Sequence, residues 1–164
     1  MLIVSDTTPI ISLIKAKHLE LLETMFQTVM IPQAVYDELV CNTRFADEAD
    51  VVKPSRFLKV IAVQNMSSVA EIRQSEKLDA GESEAIVLSK EQSADVLLMD
   101  EHRGRQAAKR LGINITGTVG ILLQAYDETL LSGQEVLDCL VHMKNSQIRI
   151  SKTLMAYVEK YILS

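Results

Sequence analysis

Two short apolar runs, Leu2-Ile3-Val4-Ser5 and Val96-Leu97-Leu98-Met99, each lead straight into an acid, Asp6 and Asp100, and each acid precedes a helical pattern. A run without polar alternation suits a strand buried on both faces, which is the habit of parallel sheets. Parallel strands need crossovers, and helices supply them. The rest of the chain follows the same rhythm. Thr7-Thr8-Pro9 offers a capping hydroxyl with proline in the first turn, and Ile10, Ile11, Leu13 and Ile14 give that helix an apolar side. A helix is expected over 18–25, a strand over 28–31, and a helix from Pro32 to about Val40 with Ala34, Val35 and Leu39 inward. Residues 42–56 read as polar helix fragments or loop. Residues 57–63 alternate as a strand at an edge, and 71–77 read as helix or loop. Asp79-Ala80-Gly81 punctuates the chain before a helix over 82–92, and a strand over 95–99 follows. Helices over 103–111, 118–131, 133–144 and 151–163 complete the series, with Gly112 and a short strand over 113–115 between the first two. This pattern predicts an α/β fold, a three-layer α/β/α sandwich with a mainly parallel sheet.

The chain has 164 residues, the size of one domain, and the expectation is a single domain over 1–164 in which 132–164 is a C-terminal helical extension packed on the rest. Hydrophobic residues make up 48% and charged residues 24%, which excludes wholesale disorder. A net charge of -5 excludes binding to nucleic acid through a diffuse basic surface, so any such contact must be local. The apolar start meets Asp6 at once, with no basic segment before it, and no apolar run approaches bilayer length, so the chain reads as cytoplasmic with no membrane partner. Cys41 and Cys139 lie far apart and outside any zinc spacing, and read as two reduced core thiols. His18, His102 and His142 also lack ligand spacing.

In an open parallel sheet the carboxyl ends of the strands share one edge, and ligands bind just outside it. Asp6 and Asp100 should therefore converge. Two carboxylates where water is scarce raise one another's pKa unless a hard divalent cation joins them, so Mg²⁺ or Mn²⁺ is expected. A helix cap or turn explains either acid alone. On the helix from Pro32, one of Asp37 and Glu38 must glance at the core rim while the other is solvated. Glu82 and Glu84 lie in the first turn after Gly81, where the free amides favour a carboxylate in any case. Four carboxylates so placed would hold one or two ions that activate water for phosphodiester cleavage.

The pieces Val4-Ser5-Asp6-Thr7-Thr8-Pro9, Pro32-Gln33-Ala34-Val35-Tyr36-Asp37-Glu38-Leu39, Gly81-Glu82-Ser83-Glu84-Ala85-Ile86 and Leu97-Leu98-Met99-Asp100-Glu101 stand in order, followed by Arg105, Ala107-Ala108, Gly112-Ile113, Gly117-Thr118 and Gly120. Over about 2–125 the chain resembles the PIN-domain family, in its DUF3368-type branch of predicted nucleic-acid-binding proteins. The resemblance implies a Mg²⁺- or Mn²⁺-dependent endoribonuclease, commonly the toxin of a toxin-antitoxin pair. It implies Asp6 as the first acid and Glu38 as the second. Glu82 matches the third, since that alignment sets Ala85 and Ser89 where the family keeps small residues; Glu84 is its rival. Asp100 matches the fourth, with Glu101 adjacent, so the metal set spans Asp6, Glu38, Glu82, Glu84, Asp100 and Glu101. A glutamate at the third position, where many relatives have Asp, lengthens the reach by one methylene.

Substrate contacts are expected from Thr7, Thr8 and Thr118, which capping explains equally well, and from Arg103 and Arg105, on a helix that also carries His102, Lys109 and Arg110. A solvated helix face is the plain alternative for that run. Lys144, Arg149 and Lys152 form a second basic rim. Aromatic residues are only 4%, so stacking along an extended single strand is poorly supplied. A small antitoxin protein and a homodimer are the expected protein partners, since Leu137, Leu140, Val141, Met143, Leu154, Val158 and Ile162 offer apolar faces, although such stripes usually complete a core. The competing reading is a non-catalytic nucleic-acid- or protein-binding module on the same fold. A receiver or haloacid-type phosphatase is disfavoured, because no Asp-x-Asp follows the first strand.

Overall fold

A computed structural model describes residues 1–164. Its sheet has five strands, β1 (Ile3–Ser5), β2 (Val29–Pro32), β3 (Leu58–Ile61), β4 (Val96–Leu98) and β5 (Ile115–Thr116). All pairings are parallel, in the order β3-β2-β1-β4-β5. Val4 pairs with both Met30 and Leu97 at the centre, where both faces of the sheet are covered. The side-chain period of two divides these strands cleanly. Ile3, Val29, Ile31, Leu58 and Leu98 belong to one apolar cluster, while Val4, Met30, Leu97 and Met99 belong to another. An α/β/α sandwich results.

Helices α1 (Thr7–Lys15), α2 (Glu20–Phe26), α3 (Gln33–Cys41) and α4 (Ala46–Val52) alternate with the first strands. Then come α5 (Met66–Glu76), α6 (Ala80–Glu91), α7 (His102–Arg110), α8 (Thr118–Asp127), α9 (Gly133–Asn145) and α10 (Lys152–Leu163). Residues of α1, α2, α8 and α9 fill the first cluster, and those of α6 and α7 the second. Leu140, Met143 and Val158 are fully inside the first cluster, and Leu137 and Ile162 pack on it, so most of the C-terminal stripe completes the core. Val141 stays exposed.

Several local expectations change. Residues 42–56 do hold helix fragments, a short 3-10 turn, Thr43–Phe45, and then α4, whose buried Glu48 is paired with Lys15 of α1. Helix α5 starts five residues earlier than 71, capped by the Asn65 side chain. Helix α6 begins at Ala80 rather than Glu82, because Asp79 and Glu82 form a reciprocal capping box. Helix α8 stops at Asp127, and Leu131 packs in the core beyond it. Cys139 is buried, but Cys41 is exposed at the end of α3 and is not a core thiol.

Candidate functional site

Chain direction reverses its lateral progress at β1. From β1 the strands step outward through β2 to β3, and then β4 and β5 add on the other side. The carboxyl ends of β1 and β4 therefore border the crevice in which an open α/β sheet binds ligands. Asp6 leaves the end of β1, and its amide donates to the Leu98 carbonyl at 2.9 Å, which ties it to β4. It is the N-cap residue of α1 but makes no side-chain cap bond. The expected Thr7 cap is also absent, since the Thr7 hydroxyl donates instead to Glu38 Oε2 at 2.8 Å. Asp6 is only 3% exposed.

Glu38 is the acid of its pair that turns inward. Asp37 is exposed and accepts from Gln33, one turn back, whereas Glu38 is half-buried on the side of α3 that faces α6. A methyl placed on Gly81 of α6 would lie 3.3 Å from Glu38 Oε2 and 3.6 Å from Asp6 Oδ1, so both oxygens border one small space that the glycine leaves open. Glu82 stands next to that glycine. Burial pushes the Asp6 carboxyl up to about 8, and the charges of Glu82, Asp79 and Glu38 push the same way. Burial also raises Glu82, with Asp79, Glu101 and Glu38 adding repulsion. Asp6, Glu38 and Glu82 thus share one field, together with Asp79 and Glu101.

Glu84 is turned elsewhere. It is buried and accepts from the Ala34 amide at 3.2 Å, in the first turn of α3. Asp100 is half-buried and held by Thr118 on both oxygens: the amide donates to Oδ1 at 2.7 Å and the hydroxyl to Oδ2 at 2.6 Å. Thr7 and Thr118 are therefore buried hydroxyls committed to carboxylates, while Thr8 alone of the three is exposed. Arg105 donates to the Met99 carbonyl at 2.9 Å and is half-buried; Arg103 is exposed. Arg110, on the same helix, is paired with Glu76. Sequence reasoning missed Asp79 as a neighbouring charge, although Asp79-x-x-Glu82 is a legible capping-box pattern.

The donor set can be tested against a divalent cation. All of its oxygens are carboxylate, the chemistry that Mg²⁺ and Mn²⁺ prefer. The chain's three ion pairs, Lys15–Glu48, His18–Glu20 and Arg110–Glu76, leave Asp6, Glu38 and Glu82 without a basic partner. A buried carboxylate among like charges and without a counterion fits a cation. Against this, no three His, Cys, Asp or Glu side chains stand as a ready metal cage. The physical reason is visible in the bonds: Glu82 Oε2 accepts from the Asp79 amide at 3.0 Å, and Glu38 is drawn to Thr7. The residues fit the ion in kind, and the capping bond of Glu82 competes with it.

A parallel α/β sandwich with carboxylates gathered at its switch point defines a class of domain that binds its ligands at that edge. The profile of the DUF3368 PIN-domain family matches residues 2–162, and the chain belongs to that family of nuclease-fold domains. No curated protein and no solved structure matched the chain. No helix is long and apolar enough to cross a membrane.

Proposed function

We propose that the chain is a Mg²⁺- or Mn²⁺-dependent endoribonuclease that hydrolyses RNA phosphodiester bonds. The observation that carries this reading is Asp6, buried at the switch point beside Glu38 and Glu82 with no basic group to neutralise them. Asp6 and Glu38 would hold the ion, with Glu82 recruited from its cap and Glu101 at the rim. A bound divalent ion supplies an activated water and neutralises the charge that develops on the phosphate. The chain's own residues supply the rest. Thr7 fixes the Glu38 carboxylate, and Thr118 fixes Asp100 at the amino end of α8. Helices α3 and α6 meet closely at Gly81 and keep bulk water from the Asp6 oxygens. Arg103 and Thr8, both exposed, would contact substrate phosphates.

On this reading the whole of 1–164 acts as one domain with 132–164 as its extension, in the cytoplasm, as the toxin of a toxin-antitoxin pair. Exposed Val141 and Tyr157 then offer contacts to an antitoxin or to a second copy. The test is cleavage of RNA by pure protein with Mg²⁺ or Mn²⁺, lost on chelation and lost in Asp6→Asn. Growth arrest on expression, reversed by the product of an adjacent small gene, tests the toxin role. One observation favours a second reading, a non-catalytic binding module: no ready metal cage is present. RNA binding that is unchanged by chelation, without cleavage, would select it.

A further inference from the structure

A cavity of about 410 Å³ opens beside Asp100, Glu101 and Thr8, next to the carboxylate cluster. The connection between α9 and α10, residues 146–151, also lines it, so Arg149 shares one cavity with these acids. Its apolar lining is Val119, Met143, Ile148, Ile150 and Leu154, and Thr118 and Gln147 add polar groups. The connection is anchored. Ile148 and Ile150 pack on the core, and the Ile148 amide donates to the Met143 carbonyl at 3.0 Å. Arg149, between these two isoleucines, is exposed and takes part in none of the three ion pairs. A second hollow, of about 630 Å³, shares the same segment, and its walls carry Lys144, Arg149 and Lys152 with no acid. In a chain of net charge -5, three cations on one short stretch shared by both hollows form the local positive surface that a polyanion needs.

We propose that this cavity is a nucleotide subsite for single-stranded RNA, in which Arg149 holds a backbone phosphate neighbouring the cleaved one and the aliphatic lining takes an unpaired base. The inference rests on the endoribonuclease reading for the identity of the cleaved bond. Its volume lies within the ~300–1,000 Å³ of small-ligand pockets, and its lining mixes an apolar surface with a few polar anchors. The planar guanidinium fork of Arg149 matches a phosphate. A base within a duplex is paired and stacked and cannot enter, so the subsite selects unpaired nucleotides.

The experiment measures binding of a short single-stranded RNA, and of a duplex of the same sequence, to full-length protein carrying Asp6→Asn, alone and combined with Arg149→Ala, Arg149→Lys or the remote Lys53→Ala. Arg149→Ala is expected to weaken the single strand about tenfold and to reduce the slope of log affinity against log salt by about 0.7, the loss of one phosphate contact. Arg149→Lys should restore the salt slope but not the full affinity. The duplex should bind more weakly than the single strand in every variant. An unchanged slope in Arg149→Ala, or an equal change in Lys53→Ala, overturns the phosphate contact; a duplex that binds as well as the single strand overturns the base pocket. In the wild-type background, metal-dependent cleavage with an Arg149→Ala KM equal to wild type sinks the subsite and leaves the nuclease standing. Arg149-dependent RNA binding without any cleavage does the reverse.

Discussion

Two acids end two neighbouring strands of this sheet, and the fold treats them in opposite ways. Asp100, after β4, is satisfied: Thr118 gives it an amide and a hydroxyl, and Gly117 lets the start of α8 come close enough to do so. Asp6, after β1, is more deeply buried, makes no cap bond, and has only other carboxylates for charged company. The first acid is anchored by the protein itself. The second is left at high potential energy, and a carboxylate in that state binds either a proton or a cation. Strand position is alike, so the difference comes from depth of burial and from the partners each helix presents.

The largest effect is expected at Asp6. Asp6→Asn should lower RNA cleavage by more than about 100-fold, because loss of even an indirect support of a metal ligand costs about 10–100-fold. Asp100→Asn that proves equally damaging would erase the contrast. Next comes pH. The folded-state pKa of Asp6, about 8, lies above its ordinary 3.8, so folding takes up a proton in that window. Its contribution to stability is therefore complete below about pH 4 and lost as pH rises to about 8. Metal-free protein should lose several kcal/mol across that range by denaturant titration, Mg²⁺ should restore part of it at pH 8, and Asp6→Asn should flatten the slope, leaving the smaller share that the raised Glu82 contributes.

Smaller effects separate the two acids by their supports. Thr118→Val deletes the hydroxyl bond to Asp100 and should cost about 1.5–3 kcal/mol of stability, the range for a hydrogen bond to a charged group. The glycine pair gives a finer contrast. A methyl at Gly117 would lie 2.7 Å from Asp100 Oδ1, too close to fit, so Gly117→Ala should destabilise the fold and release Asp100. A methyl at Gly81 meets only tight contacts and improves helix propensity by up to about 1 kcal/mol, so Gly81→Ala should leave the metal-free melting temperature unchanged or raised. The same variant should weaken the melting-temperature rise produced by Mg²⁺, because the methyl occupies the space between Glu38 and Asp6. A full Mg²⁺ response in Gly81→Ala would move the ion away from that space.

The strand-acid-helix units at Asp6 and Asp100 were legible because burial on both faces demands an unbroken apolar run, and the chain shows it directly. The inward acid of α3 was legible only as a choice of two. Helical geometry separates Asp37 from Glu38 by about 100°, but which one meets α6 depends on how the helix is rotated on the sheet. The same limit applied to Glu82 and Glu84, two positions apart on α6 and turned to different neighbours, one towards Asp6 and the other to the Ala34 amide. Thr7 looked like a cap and became the partner of Glu38, because a carboxylate 31 residues away reached its hydroxyl.

Local order along the chain determined the layers, the parallel sheet and the edge at which the acids arrive, because periodicity and turn chemistry act over a few residues. Contacts between distant segments decided the burial of Asp6, the grip on Asp100 and the cavity that Arg149 shares with Asp100 and Glu101. Those depend on desolvation and on distance in space, quantities that no spacing in a linear chain encodes.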